Sequence, residues 1–187
     1  MLRRWTAWHE EWGEEVGSIA VETSDGLVFI DPLDPPADIG GPDHVLVTVF
    51  WHGRGTSVLG AKQVWASGPA AKPLANRGIT VTGRVGGAKL PGGIEAFPTA
   101  RRGEVVYWLP EQRALVVGDV LLGAGAKPRA TGEPLRLCPE RWLGAKSHGD
   151  LKATLRRLLE LPVEQVLVSH GEPVLARGRA ALAAVLS

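Results

Sequence analysis

Three times in this chain an apolar run of strand length empties into a polar residue beside glycine. The first lies in residues 45–59, where Val45, Leu46 and Val47 lead to His52, Gly53, Arg54 and Gly55. The second is Leu115-Val-Val-Gly-Asp119, and the third is Val166-Leu-Val-Ser-His170-Gly171. Short β-branched runs bounded by turn formers read as buried strands, and in sheet-and-helix proteins the exits of such strands are where chemistry usually sits. The three strand ends therefore offer His52, Asp119 and His170 as candidate functional residues.

The remaining segments read as mixed α and β. Residues 16–31 place Ser24-Asp25-Gly26 between two β-rich runs, a hairpin signature, and the proline-rich residues 32–42 must be loop. Further strands are expected at 63–66, 79–82 and 94–97, with a helix over 69–76 and a glycine-rich turn segment over 83–93. That glycine run lacks the Gly-x-x-x-x-Gly-Lys-Ser/Thr order of a phosphate-binding loop. Residues 104–109 and 113–117 form a second hairpin that delivers Asp119, followed by a mobile loop at 123–132 near the site. Asp150 is expected to cap a helix with Leu151, Leu155, Leu158 and Leu159 on one face, stopping before Pro162. Residues 163–169 carry the strand to His170, and residues 176–186 form a closing amphipathic helix.

Length and charge narrow the partners. The 187 residues suit a single domain over 1–187, and 21 basic against 20 acidic residues give no basis for nucleic acid or an anionic membrane as partner. No stretch approaches a membrane span, and a lone Cys138 excludes an internal disulfide, so a cytoplasmic location is expected. Cys138 itself, ahead of Pro139 and without a histidine neighbour, reads as a buried structural thiol. Trp5, Trp8 and Trp12, spaced three and four apart, form a candidate exposed aromatic face, and His9, His44 and His148 are assigned to the surface.

The strand-end motifs resemble the metallo-β-lactamase fold superfamily, and the likeness covers nearly the whole chain. Gly118-Asp119 matches the family's bridging-aspartate motif, and Ser169-His170-Gly171 matches its last histidine motif. The opening Thr-His-x-His-x-Asp-His motif is eroded. Thr48 remains, but Val49 and Trp51 stand for the first two histidines, Gly53 and Arg54 stand for Asp and the last His, and His52 falls one place off register. In the third motif Arg101 or Ala100 replaces the histidine. The resemblance implies the α+β class and a four-layer αββα sandwich, and it implies that Asp31 supports the metal loop. An aspartate capping a turn ahead of Pro32 is an equally open reading of Asp31.

In the family two metals take about five histidines and two aspartates, whereas this chain has five histidines in all and only His170 on a ligand position. The expectation is a hydrolase-like protein whose dinuclear zinc site is lost: a pseudoenzyme or small-molecule binding module without a cofactor. Its ligand would lie against Arg54, Arg101 and Asp31, and if both arginines point inward the pocket favours a carboxylate or phosphate. The alternative makes His52, Asp119 and His170 catalytic, holding one zinc or iron ion in a mononuclear hydrolase of an ester or thioester. The two separate on whether those side chains converge and whether Arg54 pairs with Asp119. Gly-x-Ser-x-Gly, His-Glu-x-x-His and dinucleotide-binding patterns are absent.

Overall fold

The computed structural model describes residues 1–86 and 89–187. Strands β1 (Leu2–His9), β2 (Glu14–Thr23), β3 (Gly26–Ile30), β4 (His44–Leu46), β5 (Gln63–Ser67) and β6 (Gly83–Val85) form one sheet in chain order. The first three run antiparallel, and β3 to β6 run parallel. Helix α1 (Gly68–Ala75) follows β5. Then come β7 (Glu95–Pro98), β8 (Val105–Leu109) and β9 (Ala114–Val117), a two-stranded pair β10 (Leu121–Gly123) and β11 (Leu135–Leu137), helix α2 (His148–Leu155), β12 (Gln165–Val168) and helix α3 (Gly178–Leu186). The second sheet has the order β12-β9-β8-β7, with β12 parallel to β9 and the other pairings antiparallel.

Successive strand residues point to opposite faces, and that alternation sorts the apolar side chains into three cores. Ile19, Val28, Ile30 and Leu46 meet Tyr107, Leu109, Val116 and Leu167 between the two sheets. Their neighbours Ala20, Phe29, Val45 and Val47 face the other way, onto Ala70 and Leu74 of α1. On the far side Val106, Trp108, Leu115 and Val117 pack on Leu151 and Leu155 of α2 and Leu182 and Leu186 of α3. Three cores separate four layers in the order helix, sheet, sheet, helix. Each fully buried Leu or Phe contributes about 1.5–3 kcal/mol to holding them together.

Several elements differ from the sequence reading. The strand expected at residues 79–82 lies at Gly83–Val85, because Thr82 pairs with Val64 through both its amide (2.9 Å) and its hydroxyl, which accepts the Val64 N–H at 2.8 Å. Of the glycine-rich segment 83–93, residues 87 and 88 lie outside the described residues. Helix α2 is capped by Ser147, and Asp150 closes the reciprocal half of a capping box from the third helical position. The aromatic face does not form. Residues 2–9 are a strand, so Trp5 and Trp8 point to opposite sides: Trp5 is buried and donates its indole N–H to the Leu33 carbonyl at 2.8 Å, while Trp8 is exposed. Among the described residues no helix is long and apolar enough to cross a membrane.

The exits of β4, β9 and β12 open on one edge of the sandwich. There the two sheets are stitched together: the Gly17 amide of β2 donates to the Ser169 carbonyl at 2.7 Å, and Val16 bridges His170. This contact brings the start of β2 beside the end of β12.

Candidate metal centre

After β4 the chain tightens into a 3-10 segment, Phe50–Val58, in which the His52 amide donates back to the Val49 carbonyl at 2.9 Å. Gly53 is a packing requirement, since a Cβ there would stand 2.6 Å from Leu74 and 2.8 Å from Ile79. The turn buries His52 with its Nδ1 2.8 Å from Asp31 Oδ2. Asp31 is fixed in turn by Thr48, whose amide donates to Oδ1 at 2.8 Å and whose hydroxyl donates to Oδ2. His170, delivered by β12, is buried with its Nδ1 2.6 Å from Glu14 Oε1.

A carboxylate only accepts hydrogen bonds. Each imidazole must therefore carry its proton on Nδ1, toward Asp31 or Glu14, and a neutral ring then presents a bare lone pair at Nε2. Both Nε2 atoms lie 3.1 Å from Asp119 Oδ1. That oxygen is itself buried and outside hydrogen-bond geometry with any described group. With both rings neutral, three acceptors face one another in a buried space, their ligand atoms all within 4.8 Å of one another, and a cation or added protons are what satisfy them. Zinc bonds of about 2.0–2.2 Å would separate tetrahedral neighbours by roughly 3.3 Å. The donor set and its spacing fit a single ion.

The other Asp119 oxygen is differently employed. Oδ2 accepts the Trp51 indole N–H at 2.7 Å and Arg101 Nη1 at 3.1 Å. Arg101 also reaches Glu104 Oε2 at 3.4 Å and lies over the Trp51 ring at 4.3 Å from its centre. From beneath, Glu104 Oε1 accepts the amides of Asp119 (2.7 Å) and Val120 (2.9 Å). Gly118 is needed for that fit, because a Cβ would lie 2.6 Å from the Thr48 hydroxyl and 2.9 Å from Glu104 Oε1. Burial, then the Asp119 charge, pushes Glu104 up to about 7. Burial opposes the Asp119 charge as well, yet His52 and His170 hold that carboxyl well below its usual range. Burial likewise disfavours a charged His170, but Asp119 and Glu14 raise it above the ordinary imidazole value.

His52 and Asp119 of the cluster line a cleft of about 410 Å³. Trp12, Trp51, Trp142 and Leu33 give it apolar walls, and Arg54, Arg77 and Arg101 line it together with the acidic Glu11 and Asp119. Trp12 packs on both His170 (5.4 Å between ring centres) and Trp142 (5.5 Å).

No family model and no curated protein matches the chain. Solved structures do. TTHA1623, in a di-iron-bound form, superposes with a TM-score of 0.68 at 22% identity, over 97% of this chain and 98% of that one. A metallo-β-lactamase from Pontibacter korlensis gives 0.66 at 18% identity, covering 99% and 94%. The metallo-β-lactamase FIM-1 from Pseudomonas aeruginosa, in its mono-zinc form, gives 0.65 at 16%, covering 99% and 89%. The chain has the metallo-β-lactamase fold.

Within that fold the expectation of a lost metal site is not supported, because His52, Asp119 and His170 converge as one possible metal-binding set. His52, one place off register in sequence, is the residue that the local turn carries into the cluster. Asp31 contacts His52, and Arg101 contacts Asp119 Oδ2. Arg54 lines the cleft but forms no ion pair with Asp119 among the described residues. Ala100 offers no ligand atom, and Arg102 is exposed. His9, assigned to the surface from sequence, lines the cleft. Sequence reasoning missed Glu14, Glu104, Trp12 and Trp142. Glu14 is one of four glutamates within residues 10–15, and nothing local distinguishes it. Glu104 follows Gly103 at the head of an apolar run, where a strand-opening acid is ordinarily solvated.

Proposed function

We infer that the protein is a hydrolase that works with one metal ion, zinc or iron, on a small ester or thioester. One observation carries this reading: two imidazole Nε2 atoms, each backed at Nδ1 by a carboxylate, face an Asp119 oxygen that has no hydrogen bond. Histidine ligands are regularly oriented by a carboxylate on their other nitrogen. His52, Asp119 and His170 would hold the ion, leaving a position open. Such an ion supplies Lewis acidity that polarises a carbonyl and makes water acidic enough to react near neutral pH. Solved proteins of this fold support both metals, since TTHA1623 carries two irons and FIM-1 was solved in a mono-zinc form.

The protein's own groups do the rest. Asp31 and Glu14 fix the imidazole tautomers and ring planes. Trp51 and Arg101 hold Asp119 by Oδ2 so that Oδ1 stays turned to the histidines. The tryptophan walls would pack against an apolar acyl group. A single buried cysteine suits a reducing compartment, and we assign the protein to the cytoplasm.

The test is elemental analysis of protein purified without chelator, beside a His170→Ala variant. About one equivalent of zinc or iron is expected, lost in the variant together with hydrolysis of p-nitrophenyl acetate and of a simple acyl thioester. A protein that takes up no metal even from excess zinc would overturn the reading.

A further inference from the structure

Of the three guanidiniums in the cleft, two are committed. Arg101 is bound to Asp119 and Glu104. Arg77 donates to the Trp51 carbonyl at 3.4 Å and lies 5.2 Å from the centre of the Phe50 ring. Arg54 is free. Among the described residues its Nε and Nη1 are buried without a partner. N–H groups taken out of water with nothing in return are costly.

The backbone adds to that cost. Arg54 has φ 28° and ψ −113°, a left-handed conformation that strains a residue with a Cβ. Its neighbours Gly53 and Gly55 would bear a positive φ without strain, yet the strained position is given to arginine. A side chain held this way, in the wall of a cleft, awaits a partner that the protein itself does not provide.

We propose that Arg54 anchors an anion subsite, on which a carboxylate or phosphate of the substrate docks while its apolar body lies against Trp12, Trp51 and Trp142. The oxygens of either anion match the planar N–H fork of a guanidinium. The buried carboxylates of the site are spoken for, Asp31 by Thr48 and His52 and Asp119 by Trp51 and Arg101, and Glu11, which also lines the cleft, is exposed to water. The inference rests on the hydrolase reading only in calling this ligand a substrate.

The cleft tryptophans supply a readout independent of turnover. Intrinsic fluorescence would be titrated with benzoate, phenyl phosphate and neutral benzyl alcohol, on the parent and on Arg54→Met and Arg54→Gly, each first shown to be folded by near-ultraviolet circular dichroism. A saturable change is expected with at least one anion and none with the alcohol, and both variants should weaken the anion by about tenfold or more. The tighter anion identifies the charged group. Arg54→Gly should also melt higher than the parent, since glycine removes both the strain and the buried N–H groups. Anions that bind the variants as they bind the parent, no anion binding to the folded parent, or an Arg54→Gly that melts lower would each overturn the proposal. Metal content of the same samples keeps the two readings apart. Arg54-dependent anion binding by a protein without metal removes the metal hydrolase and leaves the subsite standing, and metal uptake without anion binding does the reverse.

Discussion

The two oxygens of Asp119 meet opposite surroundings. Oδ1 faces two imidazole nitrogens at 3.1 Å each and has no partner in hydrogen-bond geometry among the described residues, whereas Oδ2 takes two N–H donors, Trp51 at 2.7 Å and Arg101 at 3.1 Å. One side has two titratable imidazoles beside it, and the other has a permanent positive charge. The motif resemblance puts Trp51 and Arg101 where the two-metal pattern has histidines, and the Arg101 guanidinium, which never deprotonates, sits against Asp119 Oδ2. On the proposed reading, one half of the site is closed by a permanent cation so that the other half can hold a single removable one.

The largest test of that contrast is to remove what holds the closed side from beneath. Glu104→Ala leaves two buried amides and Arg101 short of an acceptor, and urea denaturation should show a loss of about 2–5 kcal/mol. Glu104→Gln keeps an oxygen for the amides and should recover most of it. An alanine variant as stable as the parent would mean that Asp119 needs no such support.

Next in size is Arg101→Met, which removes the permanent charge while keeping an apolar stem against Trp51. It should cost about 2 kcal/mol and leave metal content at one ion, because Ala100, Val49 and Trp51 offer no ligand to a second. Uptake of a second ion would show that Arg101 alone closed that half. Smaller again is Glu14→Gln on the open side, where metal affinity measured against a chromophoric chelator should fall about 10–100-fold with the fold intact. Unchanged affinity would reduce Glu14 to a packing contact.

The smallest effect is expected at Cys138, close enough to feel the charges of Glu104, Arg101 and Asp119, whose thiol is pushed up to about 12 chiefly by burial. At pH 8 only about one thiol in ten thousand would be ionised. Iodoacetamide should leave the native protein unlabelled in an hour that labels the urea-unfolded chain fully. Fast native labelling would place a reactive thiolate beside the cluster and blur the contrast between the two oxygens.

The sandwich was legible because its strands alternate. Val28, Phe29 and Ile30 or Leu115, Val116 and Val117 have too much β-branched and aromatic area to leave in water on either face, so apolar runs ending in glycine fixed most of the sheet positions. β1 was not legible. Leu-Arg-Arg-Trp-Thr-Ala-Trp-His is an edge strand whose arginines are partly buried, and its tryptophan spacing imitates a helix. The three strand-end residues could be named as candidates, but their convergence could not. His52 reaches the cluster through a tight turn set by Gly53 packing on α1, and motif alignment takes no account of such a turn. Glu14 and Glu104 act through a sheet-to-sheet contact and a pair of amides in the bend after β9, neither of which leaves a local pattern.

The stitch between β2 and β12 has a consequence for the order of folding. Glu14 and His170 are 156 residues apart in sequence, against 21 for Asp31 and His52. Closing so long a loop is entropically unfavourable, and contacts of such separation tend to form late. During synthesis the Asp31–His52 half is complete long before residue 170 leaves the ribosome. On the proposed reading, ion capture would then be among the last events of folding, and a chain that had bound an ion would thereby have joined its first strands to its last.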